Sequence, residues 1–172
     1  YVSSAVVNEV LKNPDKLKLG GDMKEMTVLF SDIRGFTTIS EGMIPEQVHR
    51  LINGYLTAMT NIVFKHGGTL DKYMGDAIMA IYGAPVDQPD HAQKACDTAL
   101  EMMQVLKELN TGWVREGKPA LDIGIGINTG MMMVGNMGSE QRFEYTVLGD
   151  AVNLGSRLEG ANKTYLTHIL IS

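Results

Sequence analysis

Apolar positions recur along this chain with two kinds of spacing, and each spacing predicts a kind of element. Val48, Leu51, Ile52, Tyr55, Leu56, Met59, Ile62 and Val63 repeat every three or four positions, as on a helix with one buried face, and Pro45 suits its first turn. Ala92, Ala95, Cys96, Ala99, Leu100, Met103 and Leu106 trace a second such face, and Asp90 with Gln93 has the spacing of a capping box at its start. Shorter runs predict strands. Met26 to Phe30 (MTVLF) is continuously apolar, while Thr69 to Met74 and Ala77 to Tyr82 flank Gly75-Asp76, a dipeptide suited to a tight hairpin. Ile123, Ile125 and Ile127 alternate with small or polar residues, and Asn128-Thr129-Gly130 is expected to turn the chain into Met131 to Met137 as a second hairpin. Tyr145 to Leu148 precedes a third helix beginning near Asp150, and His168 to Ile171 forms the last strand. Near the N-terminus Val2, Val6, Val7, Val10 and Leu11 have a short helical spacing that stops before Pro14.

The order β, α, β, β, α, β, β, α, β predicts an α+β protein whose helices pack on a mostly antiparallel sheet. Its core is similar to the ferredoxin-like βαββαβ pattern, with an extra hairpin. No internal repeat or low-complexity linker divides the sequence, so residues 20–172 are expected to form one domain behind an N-terminal segment, 1–19.

Composition narrows the function classes. With 172 residues, 44% hydrophobic, 20% charged and 5 Pro, the chain is globular and not disordered. No run approaches the roughly 18 to 20 apolar residues of a membrane span, and the first residues given show no basic segment followed by an apolar run and a small-residue cleavage site. A net charge of −5 argues against nucleic acid as a partner. The single cysteine, Cys96, falls on an apolar helix face, which points to a reducing, cytoplasmic compartment and an inert buried thiol. The 12 Met are expected to fill core and interface gaps.

Several apparent motifs dissolve on inspection. Gly112 to Lys118 has the spacing of a phosphate-binding loop, but Pro119 stands where the metal-binding Ser or Thr is needed and a helix precedes it. Gly124-Ile125-Gly126 does not continue as a dinucleotide fingerprint and reads as a strand packed closely against a neighbour. His49, His66, His91 and His168 lack metal-site spacing. Gly20-Gly21-Asp22 begins like the GGDEF signature of diguanylate cyclases, but Met23-Lys24 breaks it.

Asp32 follows an apolar strand and Asp76 lies in a hairpin turn, so an antiparallel sheet could bring both carboxylates to one edge, a donor set that suits Mg²⁺. Each Asp alone is ordinary at a cap or turn. The turn after Asp32, Ile33-Arg34-Gly35-Phe36-Thr37, leads into a helix whose backbone N–H groups could hold phosphates.

Three blocks then carry a family resemblance: Phe30-Ser-Asp32-Ile-Arg-Gly35-Phe36-Thr37, Asp71-Lys72-Tyr-Met-Gly75-Asp76, and Tyr145-Thr146-Val-Leu-Gly149-Asp150-Ala-Val-Asn153-Leu-Gly-Ser-Arg157. In this order they resemble the signature blocks of the class III nucleotidyl cyclase catalytic domain, from about Lys24 to Ser172. The resemblance implies an adenylate cyclase that converts ATP to 3′,5′-cyclic AMP and pyrophosphate. Asp32, Asp76 and the Ile33 carbonyl would hold two divalent metal ions, Mg²⁺ or Mn²⁺, and the turn of Arg34, Gly35, Phe36 and Thr37 would hold the triphosphate. Asn153 would orient the ribose and Arg157 would neutralise charge on the α-phosphoryl group. Lys72 and Thr146 match the adenine-reading pair of the family's adenylate cyclases. The same resemblance implies a homodimer whose sites lie between subunits and sensory domains upstream of a transducer-like 1–19 segment, in a parent that is cytoplasmic or membrane-anchored. It also implies further strands and a phosphate-contacting Lys beyond Ser172, so the sequence is expected to be a truncated domain. The alternatives are a nucleotide-binding or dimerisation module without turnover, or a guanylate cyclase.

Overall fold

The computed structural model describes Val7 and residues 19–139 and 141–172, and the N-terminal helical spacing lies outside this range apart from Val7. Ten elements follow in order: β1 (Gly20–Ile33), α1 (Phe36–Glu41), α2 (Pro45–Lys65), β2 (Thr69–Met74), β3 (Ala77–Tyr82), α3 (His91–Arg115), β4 (Ile123–Ser139), β5 (Arg142–Leu148), α4 (Asp150–Tyr165) and β6 (Ile169–Ile171). The path β1, α2, β2, β3, α3, β4 is the ferredoxin-like core.

The strands form one sheet in the order β2-β3-β1-β4-β5, and β6 pairs with β4 in parallel while the other pairings are antiparallel. Because side chains alternate across a strand, β1 feeds two cores. Leu29 and Ile33 join Ile78, Ala80, Ile123, Ile125 and Ile127 under α2 and α3. Met26, Val28 and Phe30 join Met79, Ile81, Met132 and Val134 on the opposite face, which α4 covers through Val152. Burial on both faces explains why β1 reads as a continuous apolar run.

The helix over Pro45–Lys65 starts as the spacing predicts, with Ile44 extended before Pro45 in the first turn. Three expectations need correction. The stretch Asn128-Thr129-Gly130 is not a turn. It pairs without a break against Val28, Thr27 and Met26, because the Asn128 amide donates to the Ala151 carbonyl and the Thr129 hydroxyl bonds that of Thr27 at 2.7 Å. The hairpin comes later, between β4 and β5. Asp90 and Gln93 form no capping box: Asp90 makes no side-chain cap bond and pairs with Lys94 at 3.0 Å, while Gln93 donates to Asp97. Cys96 is half-buried against the core, and burial pushes its thiol pKa up.

The close approach expected at Gly124 and Gly126 is present. A Cβ at Gly126 would lie 2.2 Å from the Glu159 nitrogen and 2.4 Å from the Gly155 carbonyl oxygen, so α4 rests directly on the β4 backbone. At the far end of the sheet one apolar row stays exposed among the described residues: Met23 pairs with Met133, which pairs with Leu148, and these residues are 57%, 37% and 56% exposed. No helix among the described residues is long and apolar enough to cross a membrane.

Candidate functional site

Asp32 sits at the C-terminal end of β1, one position beyond the Ser31 to Ile78 pairing, and Asp76 sits in the turn that joins β2 to β3. Gly75 before it has φ 67°, a left-handed conformation in which glycine is favoured, so the turn delivers Asp76 to the end of β1. The two carboxyl groups come within hydrogen-bonding reach of each other. Burial first, and then the charge and hydrogen bond of Asp76, hold the Asp32 carboxyl above its usual range, although Lys163 pulls the other way.

A third carboxylate approaches from α4, the helix that covers the Val28 and Phe30 face of β1. Glu159 on α4 is raised by burial and by the charge of Asp32, and its Oε1 is buried with no hydrogen-bond partner. Sequence reasoning passed over Glu159. The signal was its helix position two residues after Arg157, opposite the two strand glycines that let α4 descend onto β4.

Arg34 is held away from solvent. Its backbone N–H donates to the Asp122 carbonyl at 2.8 Å, and its guanidinium donates to the Thr167 carbonyl and lies 3.4 Å from the Asp122 carboxylate. The Arg34 N–H is therefore already engaged. Gly35 turns the chain at φ 65° and accepts the first α1 bond from Ile39, while Phe36 packs on the core and Thr37 is exposed. Ile33 is buried, 2% exposed.

The second polar cluster joins the two edge strands. Asp71 and Lys72 on β2 meet Thr146 and Glu144 on β5: the Thr146 hydroxyl donates to Asp71 Oδ2 at 2.7 Å, and Lys72 Nζ lies 3.3 Å from Glu144 and 3.4 Å from Asp71. These strands are at opposite ends of the sheet order, so the coiling of the sheet brings its edges together. Burial alone would lower the Lys72 pKa, but Asp71 and Glu144 outweigh it and hold the ammonium above its usual range. Asp71 is raised by burial, an effect opposed by the Thr146 hydrogen bond and by Lys72.

Asn153 and Arg157 are both exposed on α4, one turn apart, while Val152, Gly155 and Asn162 form its buried side. They therefore face outward, whereas Glu159 turns toward Asp32. An open groove along α3, lined by Met103, Leu106, Asn110 and Leu121, contains none of these residues.

The donor set fits a hard divalent cation. Among the described residues no three His, Cys, Asp or Glu side chains gather into a closed metal cage. Two neighbouring carboxylates whose charges oppose one another match Mg²⁺ or Mn²⁺, which take few protein oxygens and complete their shell with phosphate and water.

Comparison with known proteins gives the family and the fold. Residues 21–170 match the family model described as the adenylate and guanylate cyclase catalytic domain. Adenylate cyclase 1 of Rhizobium meliloti (strain 1021) is 41% identical over 149 residues, which cover 87% of this chain and 22% of that protein. The crystal structure of the guanylyl cyclase Cya2 superposes with a TM-score of 0.82 at 45% identity, covering 90% of this chain and 77% of that one. The adenylyl cyclase CyaB from P. aeruginosa superposes with a TM-score of 0.79 at 44% identity, covering 83% and 74%.

Proposed function

The chain belongs to the adenylate and guanylate cyclase catalytic domain family, and from that premise we propose that it is an adenylate cyclase, forming 3′,5′-cyclic AMP and pyrophosphate from ATP. The observation that carries the choice of base is the Lys72 and Thr146 pair, held together by Asp71 at the meeting of β2 and β5. Adenine offers an acceptor at N1 and an amino group at position 6. An ammonium beside a hydroxyl acceptor complements both, whereas guanine presents the reverse pattern. Overall similarity does not decide the base, since an adenylyl and a guanylyl cyclase structure match almost equally well. That near equality makes GTP the second reading.

Asp32, Asp76 and the Ile33 carbonyl would hold two divalent cations, Mg²⁺ or Mn²⁺, which when bound lower the pKa of the ribose 3′-hydroxyl and neutralise phosphate charge. The protein's own task is positioning. The first-turn N–H groups of α1 at Phe36 and Thr37 precede that helix's first backbone bond and suit a phosphate oxygen. Asn153 orients the ribose so that its 3′-oxygen lies in line with the α-phosphorus, and Arg157 stabilises charge on the α-phosphoryl oxygens as pyrophosphate departs. No protein nucleophile is needed.

Asn153 and Arg157 face outward from α4, so they would serve the carboxylates of a second copy, giving two equivalent sites per symmetric homodimer. The row of Met23, Met133 and Leu148, exposed among the described residues, would supply an apolar surface for that contact. The chain spans 22% of the Rhizobium meliloti relative, so sensory regions elsewhere in the parent would set when the dimer is productive. ATP as substrate fits a catalytic domain on the cytoplasmic side.

The test is incubation of the protein with ATP or GTP and Mn²⁺ over a range of protein concentrations, with cyclic nucleotide and pyrophosphate measured. The proposal expects cyclic AMP in excess of cyclic GMP and a specific activity that falls on dilution. Cyclic GMP in excess would favour the second reading, and nucleotide binding without cyclic product would favour a non-catalytic module.

A further inference from the structure

Asp71 is a fully buried carboxylate, its side chain 0% exposed, at an irregular point of β2. The ladder with β3 slips between Leu70 and Lys72, so Asp71 has no partner on β3 and forms a β-bulge. In a regular strand consecutive side chains point to opposite faces, yet both Asp71 and Lys72 reach β5. A bulge re-aims one side chain, and here it turns Asp71 toward Thr146. Asp71 Oδ2 accepts the Thr146 hydroxyl hydrogen at 2.7 Å, while Oδ1 accepts no hydrogen bond and faces the Lys72 ammonium at 3.4 Å.

A threonine hydroxyl is an ambiguous reader, because it carries one proton to donate and lone pairs to accept, and it rotates to suit its partner. Left free, Thr146 could accept from the 6-amino group of adenine or donate to the 6-oxo group of guanine. We propose that Asp71 is the positioning residue behind adenine selection: by accepting the Thr146 hydroxyl hydrogen, it leaves Thr146 acceptor lone pairs alone to offer a base, and so matches it to a 6-amino purine. The same carboxylate fixes Lys72 beside it, so one buried group sets both halves of the reader. Lys72 and Glu144 are the charged side chains from β2 and β5 that meet this cluster: burial raises the Asp71 pKa, the Thr146 hydroxyl and the Lys72 ammonium oppose that rise, and the Glu144 charge adds to it. The inference rests on the cyclase reading above and deepens it from which residues face the base to why a hydroxyl there discriminates.

The test compares ATP with inosine triphosphate, which carries oxygen in place of the amino group at position 6, by kcat and KM for cyclic nucleotide formation. Four proteins are used: wild type, Asp71→Asn, Thr146→Val and the double variant, each checked for a cooperative thermal transition. In Asp71→Asn the amide can donate to the Thr146 oxygen and turn the hydroxyl hydrogen toward the base. The ATP to inosine triphosphate ratio of kcat/KM should then fall by about tenfold or more, with a gain on inosine triphosphate as well as a loss on ATP. Thr146→Val should lower use of ATP without lowering use of inosine triphosphate, because it removes an acceptor that repels the 6-oxo group. In the Thr146→Val background the Asp71 substitution should change the ratio no further. A folded, active Asp71→Asn protein with an unchanged ratio would overturn the proposal, as would an equal loss on both nucleotides in Thr146→Val, or a full Asp71 effect persisting in the double variant. If Asp71→Asn does not fold, the Thr146→Val comparison decides alone. A wild-type protein that cyclises neither nucleotide overturns the cyclase reading and this inference with it.

Discussion

Asp32 is half-buried at the end of β1 and the Asp71 side chain is buried within β2, and burial raises the pKa of each, yet their surroundings answer that rise differently. Around Asp71 two neighbours compensate, a hydroxyl that donates to it and an ammonium at 3.4 Å, against the added charge of Glu144. Around Asp32 they aggravate the rise, since Asp76 adds its charge and Glu159 stands near enough to feel Asp32. A compensated cluster is finished within the fold and can act as a rigid reader of another molecule. An uncompensated one gains stability when positive charge arrives, which is what a cation-dependent site requires.

The comparison breaks most sharply at Asp32. Asp32→Asn and Asp76→Asn should each lower turnover by about 1000-fold or more, because each removes a proposed cation ligand. Asp32→Asn should also stabilise the chelator-treated protein. A raised folded-state pKa means that ionised Asp32 costs stability, and this cost grows as pH rises through that pKa, so the neutral amide avoids it at pH 7. Asp32 is partly solvated and the effect is screened, so a rise of about 2 °C in Tm is expected by calorimetry. A variant that melts well below wild type would show that the carboxylates support one another instead of repelling.

At the compensated cluster the expected damage is to selectivity. Lys72→Glu combined with Thr146→Cys inverts the donors and acceptors offered to the base, and should lower the ATP to GTP ratio of kcat/KM by about 100-fold. Unchanged selectivity would place base reading elsewhere. The smallest effect is expected at Glu159. Glu159→Gln should raise Tm in chelator by less than Asp32→Asn and weaken the apparent Mn²⁺ affinity a few-fold, measured by metal titration of activity, since it relieves one charge while leaving both proposed ligands in place.

How much of this was legible in the sequence depended on whether the signal was local. The Pro45 helix start, the Gly75-Asp76 hairpin and the Asp150 helix start are short-range features, and they stand where the spacing puts them. Asp32 and Asp76 could be brought together on paper because a strand end and a hairpin turn in an antiparallel sheet have few ways to meet. Asn128-Thr129-Gly130 misled because its turn-forming composition was overridden by long-range bonds, Asn128 to Ala151 and Thr129 to Thr27. The bulge at Asp71 leaves no trace in alternation, since it depends on slippage against β3 and on a partner 75 positions away. Glu159 was hidden for a related reason: it faces inward through the approach that Gly126 permits, on the same helix whose other side carries Asn153 and Arg157.

The outward direction of Asn153 and Arg157 also yields the most direct test of the central claim, that this chain makes cyclic AMP at sites shared by two copies. An Asp76→Ala chain still supplies Lys72, Asn153 and Arg157, and an Asn153→Ala chain still supplies both carboxylates, so each homodimer lacks an intact site and the mixed dimer has one. Random exchange makes about half of the dimers mixed, each with one of two sites intact, so a 1:1 mixture should recover roughly a quarter of wild-type cyclic AMP production. No recovery, with subunit exchange demonstrated directly by an energy-transfer pair, would place the whole site within one chain and contradict the account.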